Sequence, residues 1–200
     1  MSRLSRISPK KWWTFLAHMG GSWARSADKR RQTRALRAQV QIWHDRIVDR
    51  VLQVTANGHL DLADTFSLRF DVMVFLVSAV LRHLHRIEGS QESSQMLWDI
   101  TFAGLEESLY ARGVSDLRMA KRMRTVLQNA TGRRDAYLAA WADPASPEAI
   151  RVVIARNVFN GTASTDPRID ILLGNLPGFA ASVLEPPKPI ATTVKQGDTA

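Results

Sequence analysis

Cysteine is absent from all 200 residues. That excludes a disulfide framework, a thiolate metal site and a cysteine nucleophile, and it agrees with a reducing compartment without requiring one. A long hydrophobic run is also missing. The most apolar stretch, Val72–Leu81, is closed by Asp71 and Arg82, well short of the roughly 20 residues that span a bilayer. No uninterrupted apolar segment follows the N-terminal positive charges, so a secretory leader is not expected. Acidic side chains are lacking from the first 27 residues, where Arg3, Arg6, Lys10, Lys11 and Arg25 stand without a counter-charge. A bacterial cytoplasmic protein, peripheral on the inner membrane, is expected, with a mitochondrial presequence ahead of a matrix protein as the alternative.

The usual catalytic signatures are missing too. The histidines are His18, His44, His59, His83 and His85, with no HExxH and no pair at i, i+4. His83 and His85 are two apart and point to different faces of a helix. Glu106 and Glu107 are adjacent and diverge for the same reason. There is no GxSxG, no GxxxxGK[ST] and no GxGxxG. A non-enzyme is expected, with neither cofactor nor resident metal.

What is present is the composition of one globular domain, with 45% hydrophobic and 23% charged residues, and an uneven positive charge. The net charge is +8, and the first fifty residues hold 12 Lys/Arg against 3 Asp/Glu. The rest of the chain is therefore close to neutral. A concentrated basic arm attracts phosphate-rich surfaces, either anionic lipid headgroups or RNA, through a field that salt screens. A solvated charge run is the alternative.

Helical periodicity recurs along the chain, without convincing strand alternation or an internal repeat. Ser8-Pro9 is a cap-plus-proline start. Trp12, Phe15, Leu16 and Met19 then follow at i, i+3, i+4, i+7 until Gly20-Gly21. With Lys10 and Lys11 beside Trp12 and Trp13, this short amphipathic helix suits a membrane interface, or docks its apolar face on the domain. A basic linker around Ser26–Arg34 leads into a long helix carrying Leu36, Val40, Trp43, Ile47, Val51 and Val54, which ends near Asn57-Gly58. Leu68–Ile87 is apolar nearly all round and predicts a central buried helix whose polar stripe is Asp71, Ser78, Arg82 and His85. A third helix, Glu92–Ala111, directs Leu97, Ile100, Leu105 and Leu109 inward, before Gly113 in the place of a C-cap glycine. Ser115 or Asp116 caps a fourth, with Leu117, Ala120, Met123, Leu127 and Ala130 as its stripe. Gly132 is expected to break or bend it, leaving Tyr137, Leu138 and Trp141 on a separate helix. Ser146-Pro147-Glu148 opens the next, through Arg156, and Asp166-Pro167 starts a last one, with Ile169, Leu172, Leu173 and Leu176, interrupted by Pro177-Gly178. The expected fold is all-α, of six to seven helices: a basic arm over residues 1–34, a helical domain over 35–184 and a disordered tail over 185–200.

The order and spacing of short motifs resemble the ubiquinol-cytochrome c chaperone family. They are Ile42-Trp43-His44-Asp45-Arg46-Ile47-Val48, Arg69-Phe70-Asp71, Gly113-Val114-Ser115-Asp116, Gly132-Arg133 with Tyr137, and Arg156-Asn157-Val158-Phe159, covering roughly residues 41–159. Residues 57–64 depart from the pattern, standing where the family carries a short Gly-Val-Pro-Asp-type segment. The resemblance implies a helical chaperone without catalysis. Its client would be newly made cytochrome b, or another cytochrome bc complex subunit, at the inner face of an energy-transducing membrane. In mitochondrial relatives it implies work near the ribosome with a small partner protein.

The residues leave further roles open. Lys121 and Arg122, with Arg118, Arg124, Arg133 and Arg134, form a basic stretch that is an exposed helix face or a nucleic-acid contact. Arg69 and Asp71 are expected to pair with Arg82 inside the fold. Tyr137 is expected to be a core aromatic with a satisfied hydroxyl. An RNA- or ribosome-binding protein is the alternative function.

Overall fold

The computed structural model describes residues 9–56, 60–111, 116–142, 147–174 and 176–186, with the side chains of 9–27, 108–109 and 116–118 outside the description. Seven helices stand among the described residues: α1 (Pro9–Ala56), α2 (Phe66–Leu84), α3 (Gln91–Ala111), α4 (Asp116–Ala142), α5 (Pro147–Val158), α6 (Pro167–Leu173) and α7 (Leu176–Leu184). The all-α expectation holds.

α2 is the hub. Thr65 caps its start by accepting the Leu68 N–H at 3.1 Å. Every residue from Val74 to Leu81 is buried, so no face is left for solvent and the helix must be covered all round. It packs against α1, α3, α4, α5 and α7. Its buried Ser78 satisfies its hydroxyl by donating to the Val74 carbonyl at 2.6 Å, as mid-helix serines do. Against α2, helix α1 lays Val40, Trp43, Ile47, Val51 and Val54, all buried at the spacing the sequence predicts.

Several expectations need correction. α1 runs unbroken through Gly20-Gly21 and Ser26–Arg34. A helical glycine costs only about 1 kcal/mol, and the second stretch is rich in good helix formers, with Gln32 donating to Asp28 one turn back at 2.9 Å. α4 likewise passes through Gly132, which is exposed, so Tyr137 and Trp141 belong to it and to no separate helix. Of its expected stripe, Met123 and Ala130 do face inward, Ala120 and Leu127 face solvent, and the Leu117 side chain lies outside the description; Met119, Val126 and Tyr137 complete the inward face. Pro177-Gly178 does not interrupt a helix but lies in the first turn of α7, where a proline's missing N–H costs nothing. The expectations for Gly113, for capping by Ser115 or Asp116, and for a disordered tail fall on residues or side chains outside the description, apart from exposed Glu185 and Pro186.

Of the other predicted caps, those of Ser8 and Ser146 fall outside the described residues, and that of Asp166 follows the predicted chemistry. Asp166 accepts the Arg168 N–H at 2.9 Å ahead of Pro167. Left-handed Asn160 and Gly161, with φ of 54° and 84°, turn the chain after α5. Arg46 of α1 donates to the carbonyls of Ser182, Val183 and Glu185 at 3.1, 2.7 and 2.7 Å. It thereby satisfies the acceptors that the end of α7 leaves open.

Candidate functional site

The two sides of α2 differ. On the α4–α5 side, Phe75 meets Tyr137 edge to face at 5.2 Å and Trp141 at 5.8 Å. Asp71 there accepts from Arg133 of α4, and the Arg133 guanidinium also sits 5.5 Å above Phe70. The expected pairing of Arg69 and Asp71 with Arg82 is therefore wrong. Arg82 lies three turns further along α2 and stacks 5.3 Å over Trp141. Arg69 turns to the other side and grips Asp64 through two hydrogen bonds, of 2.7 and 2.5 Å. Burial pushes the Asp71 carboxyl up to about 6 even against the pull of Arg133. The pair is thus held at a desolvation cost, as buried ion pairs are.

Tyr137 is fully buried, as expected, but its hydroxyl has no hydrogen-bond partner, and neither does the neighbouring Asn157 amide nitrogen. Burial pushes the phenol well above its ordinary value, and nearby Asn157 only partly offsets this. The expected satisfaction of the hydroxyl is met only by the poorly aligned Asn157 side chain, which interacts with it without the geometry of a full hydrogen bond.

The basic stretch divides. Lys121, Arg122 and Arg124 are exposed on α4. Arg133 is committed to Asp71, and Arg134 lies 4.7 Å over Trp98. Arg156 is exposed and Asn157 half-buried on α5. Five of the motif residues, Phe70, Asp71, Arg133, Tyr137 and Asn157, thus lie where α2, α4 and α5 meet, with Arg82 of the polar stripe further along the same side. The proposed membrane-contact side chains, Lys10, Lys11, Trp12, Trp13, Phe15 and Leu16, lie outside the description.

On its α1–α3 side, α2 borders a half-open cavity of about 430 Å³, within the range of ligand sites. Its walls are mostly apolar: Val48, Val51 and Leu52 from α1, Phe66, Phe70, Met73 and Val74 from α2, Phe102, Leu105 and Ala111 from α3. Its polar side chains are His44, Arg69 and Thr101. Thr101 spends its hydroxyl on the Leu97 carbonyl at 2.8 Å, and Arg69 is held by Asp64. His44 is different. Its side chain is 12% exposed, Asp45 stands 3.6 Å from Nδ1, and that buried nitrogen has no hydrogen-bond partner. Burial, opposed by Asp45, lowers its pKa, so the ring is neutral at pH 7. Sequence reasoning missed this cavity. The residues lining it have the same periodicity as core residues, and only the packing of three helices shows that they stop short of one another.

A family model for the ubiquinol-cytochrome C chaperone matches residues 58–177. The chain belongs to that family. No curated protein and no solved structure matches it. The stretch shared with the ubiquinol-cytochrome C chaperone family takes in α2 to α6 and both sides of α2, including the departing residues 58–64. The Ile42–Val48 motif and the α1 wall of the cavity, His44 among them, precede it.

Proposed function

We propose that the protein is a non-enzymatic assembly chaperone that holds newly made cytochrome b while the cytochrome bc complex is built. Family membership supports the complex III assembly role. The observation that carries the finer reading is the cavity between α1, α2 and α3, a half-open apolar recess backed by a tightly packed hub helix. Such a recess offers an apolar client segment the contacts it lacks before assembly, and a preformed wall binds with little ordering cost. The amphipathic segment with Lys10, Lys11, Trp12, Trp13, Phe15 and Leu16 supplies contact with anionic lipid, and keeps the chaperone at the cytoplasmic face of the bacterial inner membrane or its mitochondrial equivalent. No helix among the described residues is long and apolar enough to cross the membrane.

The test is affinity capture of the tagged protein from gently solubilised membranes, with mass spectrometry of what accompanies it. Cytochrome b should be the dominant partner, and deleting the gene should lower cytochrome b and the assembled complex while sparing other respiratory enzymes. Unchanged levels overturn the reading. A second reading, RNA or ribosome binding, draws on the exposed Lys29, Arg30, Arg31, Arg34 and Arg37 of α1. Flotation with anionic liposomes against an RNA gel shift, both at physiological salt, separates the two.

A further inference from the structure

We infer that the cavity between α1, α2 and α3 receives an apolar helix of the client protein that presents a hydrogen-bond donor to His44; this rests on the chaperone reading above. Three observations lead there. The first is fit. A recess of about 430 Å³ walled by three helices accommodates several side chains from one face of a helix, in the helix-in-groove mode with anchors at i, i+3, i+4 and i+7.

The second is the chemistry of His44. Its ring lines the cavity, with Cε1 3.8 Å from where a Cβ on Gly104 would lie. A neutral imidazole carries one N–H and one lone pair. The Asp45 carboxylate, 3.6 Å from Nδ1, favours the tautomer with hydrogen on that nitrogen and places the lone pair on Nε2. An occupant made only of hydrocarbon would desolvate that lone pair without replacing its water. A donor on the incoming helix avoids the penalty. This favours a protein helix with one hydroxyl, amide or N–H group over a lipid chain.

The third is the state of the other polar groups in the wall. Thr101 and Arg69 already have partners within the chain, and the guanidinium's remaining groups are donors only. Among the lining side chains His44 is therefore the one that offers an unpaired acceptor, and selectivity for a donor falls to it. Because His44 precedes the family-matched stretch, this selectivity comes from the part of the chain that the match does not cover.

The experiment uses the full chain and two fluorescent apolar helical peptides, identical except for one central Ser or Ala. The wild type should bind the Ser peptide about fivefold more tightly, the size of one net hydrogen bond. His44→Leu should lose or reverse that preference, and His44→Gln should keep part of it. Leu52→Glu, which places a charge at a rim position already 38% exposed, should weaken both peptides. Equal binding of the two peptides by the wild type overturns the inference, as does a Ser preference that survives in His44→Leu. So does displacement of both peptides by lysophospholipid monomers with no Ser preference. Peptide discrimination without capture of cytochrome b from membranes leaves the groove selectivity standing and removes the client assignment. Capture of cytochrome b that neither His44→Leu nor Leu52→Glu changes does the reverse.

Discussion

Three consecutive residues show how unlike the two sides of α2 are. Arg69 faces the open side and is tied to Asp64 at the mouth of the cavity, Asp71 faces the closed side and is tied to Arg133, and Phe70 lies between, lining the cavity while sitting beneath Arg133. The closed side is filled with aromatic rings and a desolvated ion pair. The open side has apolar walls that half-buried Phe66, Phe70, Met73 and Leu105 leave incomplete. One side therefore holds the helices in place and the other is available to a partner. Substitutions on the first should change stability, and those on the second should change capture.

The largest loss is expected for Phe75→Ala. The ring is fully buried against Tyr137 and Trp141, and such truncations cost about 3–5 kcal/mol. Urea unfolding followed by circular dichroism should register it as a drop in midpoint. Arg133→Met comes next, at about 3 kcal/mol, because it strands the Asp71 carboxylate inside the fold. The double variant Asp71→Leu with Arg133→Met should recover most of that loss. A double variant as unstable as the single one would show that the two residues act through other neighbours, and that the pair is not what closes this side.

The same pair gives the closed side its own dependence on pH. Asp71 has an ordinary value of 3.8 and is pushed up to about 6 in the fold, chiefly by burial. Between those values the folded state holds a proton that the unfolded chain has released, so this group makes stability fall as pH rises from about 4 to 6, with the full cost present above 6. At about 1.4 kcal/mol per unit of separation, the effect reaches up to about 3 kcal/mol. Asp166 works in the opposite sense and in a lower window. Arg168 holds it down to about 2, and its contribution is lost as pH falls from about 4 towards that value. Unfolding midpoints of wild type and Asp71→Asn at pH 4, 5, 6 and 7 separate them. The variant should lack the decline between 4 and 6, and parallel curves would assign it elsewhere.

Leu52→Glu asks the converse question of the open side. At 38% exposed, Leu52 can take a carboxylate with a stability change within about 0.5 kcal/mol, yet the charge should strongly reduce cytochrome b capture. A variant that stays folded and captures normally would mean that this side is only a packing defect, and the contrast across α2 would have no functional content.

Much of the closed side was legible in the sequence. The all-round apolar character of residues 68–84 marks a hub, though the expected helix overran its end, since His85, Arg86 and Ile87 lie past Leu84 and are exposed. The Val40–Val54 stripe on α1 is buried as its spacing predicts. Partner choice was not legible. Asp71 meets Arg133 across 62 positions, and no local pattern distinguishes that cation from Arg82 on the same helix or from the neighbouring Arg134. The register of α4 was ambiguous for a related reason. Its first half is mostly polar and exposed, so two narrow stripes compete, and packing on the hub selects Met119–Met123–Val126–Ala130. The family motifs pointed to both sides: Asp71, Arg133 and Tyr137 hold α2 against α4, while His44, Val48, Arg69 and Phe70 line the cavity.

Glycine signals misled where a helix is long enough to absorb them, and this supplies the smallest and opposite effect. Gly132 has helical geometry in the middle of α4, is exposed, and a Cβ added there meets nothing within 4 Å. Gly132→Ala should therefore stabilise the protein by about 0.5–1 kcal/mol, by restricting the unfolded chain and raising helix propensity without a clash. An increase in the urea midpoint with an unchanged m-value, together with unchanged cytochrome b capture, is the expected outcome. A destabilised variant would imply that α4 bends at this position in solution, and that the Asp71–Arg133 contact one residue further on depends on the bend. A stabilised variant that loses capture would instead make the backbone at Gly132 a contact surface, and would move part of the recognition onto the side of α2 assigned here to holding the fold.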